Sequence, residues 1–231
     1  MSEETTKKSN NPYLVPGAIV IAGLCVSLAV YASKGAPQQQ LPEQTGPVEI
    51  KEDHLAITED DHILGPSDPD VYLIEYSDYR CGYCGVFHET VRQILEEYEG
   101  RVAWVYRHTP YQPGGKEAAL ASECIADQLG EDGFWAYTDS AFENQGDISD
   151  EWSKNKALEL GADGAEYDEC ISSGKFNGLI SKHTLGSQEL GGQGTPYNIL
   201  LTRENGIVKF SGAQPIETVK MFVDRALGTL E

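Results

Sequence analysis

Residues 71–107 read VYLIEYSDYRCGYCGVFHETVRQILEEYEGRVAWVYR, and this stretch separates into three segments. Val71-Tyr-Leu-Ile-Glu-Tyr76 is a short run of β-branched and aromatic side chains, the pattern of a strand. From Cys81 onward, Cys84, Phe87, Val91, Ile94, Leu95 and Tyr98 recur at three- and four-residue spacings. That periodicity predicts a helix with one apolar face, ended by Gly100. Residues 101–107, RVAWVYR, read as a second strand. Strand, helix and strand in this order make a βαβ unit, so the two strands are expected to be parallel.

Downstream, helical patterns cover 116–129, 133–143, 150–160, 165–172 and 176–189, with glycine-containing breaks between most of them. Residues 197–202 and 207–210 then alternate like strands, and Asn205-Gly206 supplies a tight turn between them. A last amphipathic helix, 218–227, carries Val219, Phe222, Val223, Ala226 and Leu227 on one face. The order is β-α-β, a helical block, then β-β-α. This is the order of an α/β thioredoxin fold with a helical insertion at about 112–192.

Cys81-Gly82-Tyr83-Cys84 lies between a strand end and a helix start. The first N–H groups of a helix have no intrahelical partner and carry partial positive charge, which favours a thiolate at Cys81. The thiolate is the form that attacks disulfides. Cys84 lies one turn inward on the buried side, where it can resolve a mixed disulfide formed at Cys81. Two other readings of the pair exist. A zinc site needs about four ligands, and the nearest addition is His88, with no second CxxC to complete a set. A purely structural bridge between cysteines three apart would staple almost nothing. Nothing in the sequence calls for a cofactor.

The chain begins differently. Residues 13–31, YLVPGAIVIAGLCVSLAVY, are roughly 19 uncharged residues, enough to span a bilayer as a helix. Lys7 and Lys8 precede the run and only Lys34 follows closely, which places 1–12 in the cytoplasm and the rest outside. A cleaved signal peptide ending near Ala32 is the rival reading, and either one exports the remainder. Cys25 sits within the run, and bulky Leu24 argues against lipid attachment there. Residues 32–55, with proline and glutamine and no apolar periodicity, read as a linker to a domain at 56–231. The formal net charge of -20 repels phosphate backbones, which excludes nucleic acid as a natural partner. Four cysteines remain in the exported part. Cys124 and Cys170 lie on separate helices of the insertion and are expected to form a disulfide that staples it. The alternatives are two buried free thiols or a pair that shuttles electrons to Cys81 and Cys84.

Together Asp61-His-Ile-Leu-Gly65, Ile74-Glu-Tyr-Ser-Asp78, Cys81-Gly-Tyr-Cys84 and Gly194-Thr-Pro-Tyr197 resemble the DsbA-like thioredoxin family, in its membrane-tethered bacterial branch. The resemblance runs from about Asp61 to the C-terminus. It implies an extracytoplasmic thiol–disulfide oxidoreductase with Cys81 as nucleophile and Cys84 as resolving thiol. It also implies a cis Pro196, with Gly82, Tyr83, Thr195 and Pro196 meeting the substrate chain. Glu75 matches a buried acid that relays protons near the inner cysteine; the plainer reading is an inward strand residue paired with a neighbour. The partners implied are reduced or unfolded exported proteins and a membrane thiol oxidase, quinone reductase or reductant that recycles the pair. One departure concerns direction. Gly82-Tyr83 resembles the isomerase branch, whereas strong oxidases of this family carry proline between the cysteines, often with histidine. Oxidase, isomerase or reductase, and a non-catalytic chaperone-like module therefore all remain open at this level.

Overall fold

The computed structural model describes residues 54–204 and 206–229. The expected cytoplasmic segment 1–12, the apolar segment 13–31 and most of the linker lie outside the described residues. Among the described residues, no helix is long and apolar enough to cross a membrane. Packing starts within the stretch read as linker: Leu55 is buried with Ile74, Tyr76 and Val105, and the His54 carbonyl accepts from Arg107 Nη1 at 2.6 Å.

The βαβ unit is β2 (Val71–Ser77), α1 (Gly82–Glu97) and β3 (Val102–His108), preceded by a short β1 (His62–Leu64). The helical insertion consists of α2 (Gly115–Glu143), α3 (Asp150–Leu160), α4 (Gly164–Ser173) and α5 (Asn177–Glu189). Then come β4 (Tyr197–Thr202), β5 (Ile207–Ser211) and α6 (Ile216–Ala226). The sheet order is β1-β3-β2-β4-β5. β2 pairs parallel with β3, from Val71 opposite Val102 to Ser77 opposite His108, and antiparallel with β4 on its other side.

Central β2 is flanked by two strands and two layers of helix, so it reads as a nearly continuous apolar run. Val71, Leu73 and Ile74 are completely buried, each contributing about 1.5–3 kcal/mol through removal from water. Side chains alternate along a strand. Leu73 accordingly packs into the layer of Phe87, Val91 and Ile94 from α1 and Val219 and Val223 from α6, while Ile74 and Tyr76 belong to the core on the opposite face. The same alternation puts Glu75 and Ser77 under α1.

The two helices expected at 116–129 and 133–143 form one helical run broken at Gly130, whose φ of 67° is a conformation that glycine adopts without strain. Helix α6 starts two residues before the apolar periodicity does, with Pro215 at its N-cap. Strand β1 has no counterpart in the sequence reading. It is three residues long, and it is held at the sheet edge by His62, whose Nδ1 lies 2.7 Å from Glu131 and Nε2 3.3 Å from Glu123. The hairpin between β4 and β5 closes through Thr202 N donating to Gly206 O at 2.9 Å; Asn205 lies outside the described residues.

Candidate active site

Cys81 is the N-cap of α1, in extended conformation (φ -88°, ψ 116°). Its carbonyl accepts the first helical bonds, from Cys84 N at 3.0 Å and Gly85 N at 3.3 Å. The residue is 9% exposed, and its thiol reaches the Thr195 carbonyl at 3.4 Å. Cys84, one turn along, has no exposure at all. Both are free thiols. The Thr195–Pro196 peptide is cis, and it stands at the mouth of β4 opposite Cys81.

The two sulfurs titrate far apart. A hydrogen bond from the Cys84 thiol holds Cys81 down to about 5 despite the cost of burial; Thr195 and the backbone N–H groups of Cys84 and Tyr83 add to the effect. Burial pushes the Cys84 thiol far up, and the bond it gives Cys81 and the nearby Glu75 charge push the same way. Cys81 is thus the sulfur that ionises near neutral pH.

Glu75 is completely buried, and burial raises its carboxyl to about 8, with the Cys81 charge a smaller contribution. Ser77 and Trp104 face the carboxyl and favour its charged form, although none of the three side chains reaches full hydrogen-bond geometry. Tyr106 and Asn198, opposite Glu75 on β3 and β4, also carry buried polar atoms without partners. The arrangement is a polar patch beneath the inner cysteine, with a carboxyl that holds its proton near neutral pH.

The rim is apolar. Tyr83 is 71% exposed and Val86 62%, both on the first turns of α1 beside Cys81. Gly82 adds no side chain, and a Cβ there would meet nothing within 4 Å. His88, the one nearby imidazole, is engaged at Nε2 by Asp139 at 2.8 Å. Among the described residues no group of three His, Cys, Asp or Glu side chains is placed to hold a metal ion.

Two features of the site escaped the sequence. Asp78 is buried and accepts from Arg80 N (2.9 Å), Tyr111 N (2.8 Å) and Gln112 N (2.8 Å), tying the loop before Cys81 to the loop after β3. Gln145 donates to the carbonyls of Tyr79 and Cys81 at 2.8 and 2.9 Å. The signal for Asp78 was its place three residues before Cys81; Gln145, more than sixty positions downstream, left none. Away from the site, Cys124 and Cys170 are joined in a disulfide, with Cα atoms 5.8 Å apart, linking α2 to α4.

Comparison with known proteins bears on the same residues. The thioredoxin family matches 57–225, which takes in β1 through α6. Among solved structures, α-DsbA1 of Wolbachia pipientis superposes with a TM-score of 0.67 at 20% identity, covering 78% of this chain and 99% of that one. Oxidised BdbD of Bacillus subtilis gives 0.62 at 23% identity, covering 73% and 94%. Both likenesses are of fold. Among curated sequences, the Na(+)/H(+) antiporter NhaA of Herminiimonas arsenicoxydans is 36% identical over 103 residues, and NhaA 3 of Salinispora tropica is 30% identical over 139. Those matches take in 45% and 59% of this chain but only 16% and 21% of the antiporter sequences.

Proposed function

The chain belongs to the thioredoxin family and has the fold of DsbA-like proteins, and on that premise we propose that it is a thiol–disulfide oxidoreductase that oxidises exported proteins through Cys81 and Cys84. The observation that carries this reading is the pairing of a nearly buried N-cap thiol, 3.4 Å from the Thr195 carbonyl, with a fully buried thiol one turn along the same helix.

The steps follow from the asymmetry of the two sulfurs. In the oxidised form a substrate thiolate attacks Cys81 Sγ. The Cys81–Cys84 bond breaks, its electron pair goes to Cys84, and that sulfur takes a proton. Glu75 is suited to supply it, because its carboxyl is still protonated near neutral pH. A second substrate thiolate then attacks the substrate's own sulfur in the mixed disulfide and expels Cys81. The substrate leaves with a disulfide, and the enzyme is left with Cys84 as a thiol and Cys81 as a thiolate. The low affinity of Cys81 for a proton makes it a good leaving group and stabilises the reduced enzyme, which raises its oxidising power. This supports oxidase over isomerase, even though Gly82-Tyr83 places no positive charge beside the thiolate. Thr195 and Pro196 receive the substrate backbone, and Tyr83 its apolar side chains.

A membrane thiol oxidase that passes electrons to quinone would restore the disulfide. We place the domain outside the cytoplasm, tethered by 13–31; the Cys124–Cys170 bridge suits an oxidising compartment. The test is trapping: Cys84→Ser should accumulate mixed disulfides between Cys81 and reduced exported proteins, and Cys81→Ser should accumulate none. Equal trapping through either cysteine would overturn the assignment.

A further inference from the structure

We propose that Gln145 is a positioning residue for Cys81: from the loop between α2 and α3 it holds the backbone of the nucleophile and thereby sets the thiol's acidity. The inference rests on Cys81 being the reactive thiol.

The contact is reciprocal and specific. Gln145 Nε2 gives its two protons to Tyr79 O and Cys81 O, the carbonyls on either side of Arg80. Arg80 in turn sends Nη1 to Gln145 O at 2.6 Å and Ile148 O at 3.2 Å. Four hydrogen bonds therefore lace the loop carrying the nucleophile to the insertion. Tyr79, the inner anchor, is itself buried, with its hydroxyl 2.8 Å from Thr138 Oγ1.

Gly85 makes the approach possible. A Cβ there would lie 2.6 Å from Gln145 Oε1. Glycine inside a helix costs about 0.5–1 kcal/mol relative to alanine, so this position gives up helix stability for room. The Cys81 N-cap makes no side-chain capping bond that would fix its conformation independently. Its N–H reaches Asp78 O at 3.0 Å and its carbonyl takes the first helical N–H groups, and Gln145 adds a grip on that carbonyl from outside the helix. That grip keeps ψ extended and the sulfur over the N–H groups of Tyr83 and Cys84, where a thiolate is stabilised.

The experiment measures alkylation of Cys81 by iodoacetamide against pH in the reduced protein, with Cys84 identified separately by peptide mapping. Gln145→Ala should raise the midpoint by about one unit, a tenfold loss of thiolate below it. Gln145→Glu keeps the shape but faces two carbonyls with a carboxylate, and should raise it further. Gly85→Ala should raise it as well while the melting temperature holds or rises, since alanine favours the helix. A role confined to stability would move melting temperature and leave the midpoint in place. A depressed wild-type midpoint shared within about 0.2 units by Gln145→Ala and Gly85→Ala overturns the positioning role alone. A wild-type midpoint near the ordinary thiol value of about 8.5 overturns the reading of Cys81 on which it rests.

Discussion

Replacing Cys124 and Cys170 together by alanine removes a cross-link between positions 46 residues apart, one on α2 and one on α4. Constraining the unfolded chain over a loop of that length stabilises the folded state by about 4 kcal/mol at 25 °C in the chain-entropy model. The loop contains the last two-thirds of α2, all of α3 and the first turns of α4. Both cysteines are buried, at 0% and 8% exposure, so the lost sulfurs also leave small voids, which adds to the loss. For a domain of this size about 1 kcal/mol moves the melting temperature by roughly 2–4 °C, so a fall of roughly 8–16 °C is expected. Urea unfolding followed by far-UV circular dichroism gives the free energy, and a scanning melt gives the temperature. The single variants should lose about as much as the double, because either one abolishes the bond. A double variant within about 1 kcal/mol of wild type would rule out a stabilising role for the cross-link. It would show that packing around Tyr167 and Ile125 holds the insertion without the staple.

Glu75→Gln should stabilise the domain, and more at pH 8 than at pH 5. Burial raises the folded-state carboxyl from the ordinary 4.5 to about 8, so native Glu75 costs stability as pH climbs through that window. The gain should approach the order of 2–4 kcal/mol at the upper end, in urea unfolding at the two pH values; a gain independent of pH would contradict the burial of an ionisable carboxyl there. Asp61→Ala leaves the Arg107 guanidinium, bonded to Asp61 at 2.7 and 2.9 Å, buried without its counter-charge. A loss of about 3–5 kcal/mol is expected in the same assay. Tyr83→Ser removes an aromatic ring that is 71% exposed and should leave the melting temperature within roughly 2 °C while raising KM for unfolded protein substrates. An unchanged KM would remove Tyr83 from the binding surface.

The sheet and its helices were legible because their periodicities are local. Val71–Tyr76 and the spacing from Cys84 to Tyr98 carry the βαβ unit without help from the rest of the chain, and residues 150–160 and 197–202 form their elements with the boundaries read from sequence. Strand β1 was not legible, because three residues give no alternation to read and its place depends on His62 meeting Glu123 and Glu131 far along the chain. Likewise Leu55 looked like linker, since what buries it is Ile74 and Val105 across the sheet. Within the site, Cys81 and Cys84 announce themselves by spacing and by position after a strand. The polar patch that Glu75 shares with Trp104, Tyr106 and Asn198 and the hold of Gln145 on Cys81 come from tertiary approach, and no window of sequence contains them. Gly85 was a trace of that approach, readable only after the fold was known.

Cys81 and Cys84 are proposed to perform dithiol–disulfide exchange on protein substrates. It is tested most directly by incubating the oxidised domain, residues 54–231, with reduced, unfolded ribonuclease and a glutathione redox buffer while following recovered ribonuclease activity. Wild type should restore activity catalytically, over many turnovers, while Cys81→Ser restores no more than buffer alone and scrambled ribonuclease is recovered more slowly than reduced. Recovery by Cys81→Ser equal to that of wild type would contradict the account, since the domain would then be assisting folding by binding alone.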